Sequence, residues 1–350
     1  MATMRFYLSM LAGLLAFLLL LEGVLHILPV NSGVRVAAVS EADPISHYLP
    51  NQAYVYSHGW ALTNYQRGST NAQGFANSPD FAGQGGLLVV GDSYIEAFML
   101  PYQHTLQGQL DAALHGNVLA AAASGNGVAD TLHLVRHYAP VLKPKTIVVF
   151  IKPTDLDALL EQPKRGHSGF RLQGREVSLV LAPYTEMTSK RMLLQSAILR
   201  YGYYNLKFTE FIGNTLNHLS GLGNPGDFKG VVQEADNEKV LDYYFTQLKL
   251  AAPESRIIML IDGDREGIYS GQHSAKSQRI LQYIATLERE AAANKVELIN
   301  MHPVFASHWQ ARRERMDFLP MDGHWNPVGH RLAAGQVLQR LGQRVGQGVP

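Results

Sequence analysis

The sequence predicts an α/β chain: a three-layer domain on a parallel sheet, preceded by a transmembrane helix and interrupted by a long insertion. Three observations carry that expectation. Short continuous apolar runs alternate with amphipathic stretches from Gly86 onward. An apolar, Leu-rich segment fills Phe6 to Leu28, with only Ser9, Glu22 and His26 clearly polar. About a hundred residues separate the third run from the fourth, far more than a βα crossover needs.

Taken in order, the N-terminal segment comes first. As a helix rising ~1.5 Å per residue it reaches about 35 Å, enough for a hydrocarbon core of ~30 Å. A cleaved signal peptide is the rival reading, but its apolar region is typically ~7–15 residues and ends at a small-residue cleavage site. Here Leu28-Pro29-Val30 follows the run, so residues 1–30 are expected to remain as an anchor. Arg5 precedes the span and Arg35 follows it among Glu41 and Asp43. The excess of positive charge at the start favours an N-terminus inside and a body outside, periplasmic if the membrane is a bacterial inner membrane. Glu22 and His26 sit four apart on one helical face, where polar side chains are expected to reach the interface.

Residues 31–82 turn polar and aromatic, with Pro44, Pro50 and Pro79 and no helical period, and read as a linker that packs onto the main domain. That domain is expected over residues 83–345. Its strands are the runs Gly86–Val90, Asn117–Ala121, Thr146–Ile151, Arg256–Ile261 and Val296–Asn300. Unbroken apolar runs of this length suit a parallel sheet covered on both faces. Arg279–Ala293 and Pro327–Leu341 read as amphipathic helices. The insertion, at about residues 156–250, holds a hairpin turning at Gln173-Gly174 and helical patterns at Met192–Leu206 and Glu238–Leu250, and is expected to decorate the strand ends as a lid.

Composition excludes several functions. Hydrophobic residues are 46% and charged ones 17%, too apolar for a disordered polymer. Lys and Arg number 30 against 29 Asp and Glu, so nothing marks a nucleic-acid footprint. There is no Cys, hence no disulfide and no thiolate nucleophile. The 14 His form no HExxH and no close His-x-His pair, so no metal or cofactor is expected.

The first run ends in Gly91-Asp92-Ser93-Tyr94. A Ser on a sharp strand-to-helix turn is exposed beside the free amides of the helix start, which is what acyl transfer asks of a nucleophile and its oxyanion donors. Asp322-Gly323-His324 precedes the last helix. A base needs a partner to fix its tautomer, and Asp322 is near enough to accept from one ring nitrogen while the other faces Ser93.

In order and spacing these residues resemble the SGNH (GDSL-type) hydrolases, over about Gly86 to Leu341 with the insertion unmatched. The resemblance implies a flavodoxin-like sheet. It makes Gly91-Asp92-Ser93 the nucleophile block, places the Gly125 amide of Ser124-Gly125-Asn126 in the oxyanion hole with Ser93, and makes Asp322 and His324 the remaining catalytic pair. Asn71-Ala72-Gln73-Gly74-Phe75 resembles the Asn-x-x-Gly-Phe segment of membrane-anchored members. Two departures stand out. Lys152-Pro153-Thr154-Asp155 occupies the third block, with Thr154 where the family has its oxyanion Asn, so its hydroxyl is expected to stand in as a third oxyanion donor and Thr154→Val to cost about 10-fold in rate. One residue, not two, separates Asp from His, a form found in polysaccharide O-acetylation relatives.

The implied activity is that of a serine esterase or O-acyltransferase acting through an acyl-Ser93 intermediate on acetylated polysaccharide or another envelope glycan, with a membrane protein as acyl donor. The alternative is a non-catalytic carbohydrate-binding or assembly protein. Lys152, Arg265 and Trp325 are secondary candidates for touching substrate, since all three follow strands or flank the last block. His302 and His330 are expected to be structural.

Overall fold

The apolar runs form one sheet in a computed structural model that describes residues 2–83, 85–208, 234–272, 274–319 and 322–342. In chain order the strands are β1 (Ala53–His58), β2 (Thr63–Ser69), β3 (Leu87–Gly91), β4 (Val118–Ala122), β5 (Thr146–Ile151), β6 (Ser168–Gln173), β7 (Glu176–Leu181), β8 (Arg256–Ile261), β9 (Glu297–Asn300), β10 (Asp317–Phe318) and β11 (Asp322–Trp325). The central sheet runs β4-β3-β5-β8-β9, with every neighbour parallel. Numbered within the sheet this is the order 2-1-3-4-5, the flavodoxin-like arrangement expected from the sequence.

Every residue of β3, β4 and β5 is buried, because helices cover both faces. Strand period sends alternate side chains to opposite sides. Leu88, Val90, Ile147 and Val149 pack in the core shared with helices Val128–Leu142, Glu234–Ala251 and Ala275–Ala293. Leu87, Val89, Val148 and Phe150 face the other core, with helices Leu106–Leu114 and Pro327–Arg340. Each fully buried aliphatic side chain is worth about 1.5–3 kcal/mol, so these two cores are the main source of stability.

The described residues fall into two compact units. One comprises residues 1–35, 53–68 and 186–228, the other 36–52, 69–185 and 229–350. The expected linker is therefore divided: β1 and β2 form a hairpin in the first unit, whereas Ile45 and Phe75 are core residues of the second. The insertion is also shorter than expected. Helix Glu234–Ala251 buries Val240, Leu241, Tyr244, Phe245 and Leu248 against the sheet domain, as a crossover helix does, so it is a covering layer and no part of a lid. The hairpin β6–β7 forms as expected, pairing Gln173 with Glu176 across Gly174 at φ +64°. The pattern at Met192–Leu206 is broken into the end of a helix at Thr188–Leu193, a helix at Ala197–Arg200 and a π-turn at Tyr201–Asn205.

In the first unit, the N-terminal helix Ala2–Ile27 is long and apolar enough to cross a membrane. Glu22 has a different place from the one expected. Its carboxylate accepts from the Ala197 and Ile198 amides at 2.7 and 2.9 Å and from Ser196 Oγ at 3.0 Å. It thus caps helix Ala197–Arg200, whose first amides have no partners within the helix. His26 contacts the same carboxylate at 3.0 Å.

Candidate active site

The chain leaves β3 at Gly91 and turns at once into a four-residue helix, Ser93–Glu96. Asp92 caps it, accepting from the Tyr94 amide at 2.9 Å. Gly91 admits no side chain: a Cβ there would stand 2.6 Å from Ile95 Cγ1. The segment Asn71–Phe75 closes a tight turn, with Asn71 Oδ1 accepting from the Gln73 and Phe75 amides. Two residues on, Asn77 Nδ2 donates to the Glu96 and Ala97 carbonyls and fixes the far end of the short helix.

The last block closes on Ser93 from the other side of the sequence. Ser93 Oγ lies 2.8 Å from His324 Nε2, and His324 Nδ1 lies 2.5 Å from Asp322 Oδ1. The same Asp322 oxygen accepts from the His324 amide at 3.0 Å, so one carboxylate sets both the backbone and the ring. The i, i+2 spacing makes this double contact available, as in an Asx turn. Asn326 then caps the final helix, with Pro327 in its first turn.

Two amides here are left without acceptors. Ser93 opens its helix and Gly125 follows β4, and among the described residues neither backbone N–H has an acceptor. Gly125 holds φ +91°, which disfavours a side chain, and Asn126 Nδ2 ties the loop to the Gly91 carbonyl at 3.0 Å. Both loops leave the carboxyl ends of strands where the sheet order reverses, the place where open α/β sheets bind ligands. A cavity of about 300 Å³ opens there, lined by Ser93, Gly125, Asp130, Lys152 and His167 among others.

The remaining sequence candidates divide. Lys152 lines the cavity, yet it is no freely solvated lysine: its ammonium pairs with Asp92 and lies 3.1 Å from Asp155. Burial works against its charge, but the two carboxylates outweigh that and hold the ammonium protonated well above its usual range. Thr154 is exposed on the turn after Lys152 and does not line the cavity, so the expected third oxyanion donor is not in place.

Arg265 does not face substrate either. It is buried, paired with Asp317 at 2.7 Å and Asp262 at 2.9 Å, and it donates to the Tyr94 hydroxyl at 2.8 Å. Trp325 is fully buried in the core, its indole N–H on Asp262 at 2.9 Å. His330 is fully buried and accepts from the Leu106 amide, and burial pushes its pKa down to about 3.

Four further side chains lay outside the sequence expectations. Tyr94 packs against His324 with ring centroids 4.7 Å apart and the planes tilted by 45°, and donates to the Gly323 carbonyl at 2.9 Å, so it fixes the histidine loop. Glu96 holds Ser124, next to Gly125. His167 and Asp130 meet at the cavity wall. Of these, only Tyr94 carried a signal, through its adjacency to Ser93.

No family model and no curated protein matches the chain. Solved structures similar to it include a lipolytic G-D-S-L family member from Veillonella parvula (13% identity, 74% of this chain and 100% of that one, TM-score 0.41). An α/β hydrolase from a Lake Arreo metagenome is similar at 15% identity, over 75% and 97% of the two chains, with a TM-score of 0.44. A catalytic mutant of an acetylxylan esterase from Geobacillus stearothermophilus is similar at 13% identity, over 77% and 98%, with a TM-score of 0.44. By its own sheet order, the order of its motifs and the Ser93–His324–Asp322 contacts, the chain resembles the SGNH (GDSL-type) hydrolases.

Proposed function

We propose that the protein is a serine ester hydrolase or O-acyltransferase that works through an acyl-Ser93 intermediate. The observation that carries this reading is the line from Ser93 Oγ through His324 to Asp322. His324 takes the hydroxyl proton as Ser93 attacks the ester carbonyl, and Asp322 stabilises the imidazolium that forms. The Ser93 and Gly125 amides receive the oxyanion. His324 then returns the proton to the departing alcohol. Water or a sugar hydroxyl attacks the acyl-Ser93 in the second half, with His324 again as base, which gives hydrolysis or transfer respectively.

Lys152 neutralises Asp92 beside the nucleophile, so the acidic side chain of the Gly-Asp-Ser turn does not repel the developing oxyanion. The N-terminal helix supports a membrane anchor, and Arg5 ahead of it favours the sheet domain on the outer side, periplasmic in a bacterium. That location favours an acylated envelope glycan as substrate and a membrane protein as acyl donor. A fluorophosphonate probe tests the reading on the detergent-solubilised full chain. Labelling at Ser93 is expected in the native protein, and is abolished in Ser93→Ala and in wild-type protein after heat denaturation. An unlabelled native protein would instead fit a glycan-binding role.

A further inference from the structure

His167 precedes β6 and reaches the wall of the same cavity as Ser93. Its ring rests against Gly125: a Cβ at Gly125 would stand 3.0 Å from His167 Nε2 and 3.1 Å from Cε1. The imidazole edge therefore lies against the Cα of the residue whose amide is assigned to the oxyanion. Behind it, Nδ1 is buried, 3.4 Å from Asp130 Oδ2 and outside good hydrogen-bond alignment.

Asp130 is held firmly in turn. It accepts from the Gly127 amide at 2.8 Å and from the Ser168 amide at 2.7 Å, joining the Gly125 loop to the hairpin that carries His167. A carboxylate on that side favours the proton on Nδ1, which leaves the lone pair on Nε2, the ring nitrogen beside Gly125. Among the described residues Nε2 has no partner. It is placed to accept a hydrogen bond from a ligand.

We propose that His167 binds a free hydroxyl on the alcohol portion of the ester, so that the site selects esters of polyhydroxylated alcohols such as sugars. The inference rests on the acyl-Ser93 reading and names the substrate class of that site. The walls decide which half of the ester lies here. Asp130, Lys152, Asp155, Glu161 and Lys164 line the cavity, and charged groups make a poor bed for an acyl hydrocarbon. A sugar offers the hydroxyls such walls need, and its apolar ring face suits Phe170 and Pro163 in the same lining.

The test compares two esters on the full-length protein in detergent: an aryl acetate, whose leaving group has no free hydroxyl, and a mono-O-acetyl hexose. His167→Leu should lower kcat/KM for the sugar ester about 5- to 10-fold, the scale of one neutral hydrogen bond, and leave the aryl ester within about twofold. His167→Gln, which keeps an acceptor, should recover part of the loss. Equal losses on both esters, or none on the sugar ester, overturn the proposal. Binding of the sugar ester to Ser93→Ala protein, followed by NMR, reads His167 without turnover. Weaker binding in the Ser93→Ala, His167→Leu double variant supports the role even if no hydrolysis occurs, and unchanged binding removes it.

Discussion

Glu96 Oε1 accepts a hydrogen bond from the Ser124 amide at 3.1 Å, and its other carboxylate oxygen takes the Ser124 hydroxyl. The residue that ends the nucleophile helix thereby holds the loop that presents the Gly125 amide. Burial pushes the Glu96 carboxyl up to about 7, against hydrogen bonds from Ser124 and Tyr48 that favour its charge.

A raised carboxyl makes stability depend on pH with a definite sign. Between its ordinary value of 4.5 and about 7 the folded state keeps a proton that the unfolded chain has lost. Stability therefore falls as pH rises through that window, by roughly 3 kcal/mol in all. Glu96→Gln should flatten this part of the curve. Thermal melts at pH 5 and pH 8 check it: the difference between the two melting temperatures should shrink in the variant, and an unchanged difference would place the titration elsewhere.

Asp322→Asn should lower kcat by about 10³–10⁴ on an aryl ester and leave KM near its wild-type value. The amide still accepts from the His324 backbone but no longer stabilises an imidazolium. Steady-state kinetics at saturating ester reads the effect, and a rise in KM alone would contradict the assigned role.

Thr154→Val should change kcat/KM by less than about twofold, because the side chain is exposed and outside the cavity lining. The sequence alone suggested a larger loss. A tenfold fall in both kcat and kcat/KM would return Thr154 to the oxyanion hole.

Arg265→Met should act on the fold. Asp262 would lose its counter-ion and Asp317 would keep only the more exposed Arg315 at 3.3 Å, a change that typically costs about 3–5 kcal/mol. In a domain of this size that corresponds to a fall in Tm of about 10 °C. KM for a small ester should stay unchanged in the protein that remains folded.

What was legible in the sequence was what lies close along the chain. The strand runs announce themselves because both faces are covered, leaving no polar alternation to dilute them. Ser93 and the Asp322–His324 pair stand out because a nucleophile turn and an i, i+2 dyad are local patterns. The pairing of Lys152 with Asp92, the burial of Arg265 between Asp262 and Asp317, and the contact of His167 with Gly125 join distant segments. A lysine or arginine at a strand end looks the same in sequence whether it faces solvent, substrate or a carboxylate. Helix Glu234–Ala251 was misassigned to the insertion for a related reason: its burial depends on a sheet that its own periodicity does not reveal.

The cap that Glu22 places on residues 196–198 bears on how the protein is best prepared. A truncation starting after Val30 would strip the Ala197 and Ile198 amides of their acceptor. It would also bare Ile198 and Tyr201, which pack with Leu21 and Leu25 of the N-terminal helix. Shortened versions designed for solubility are thus expected to expose a sticky, loosened segment, and detergent-extracted full-length material is the better starting point for enzymology.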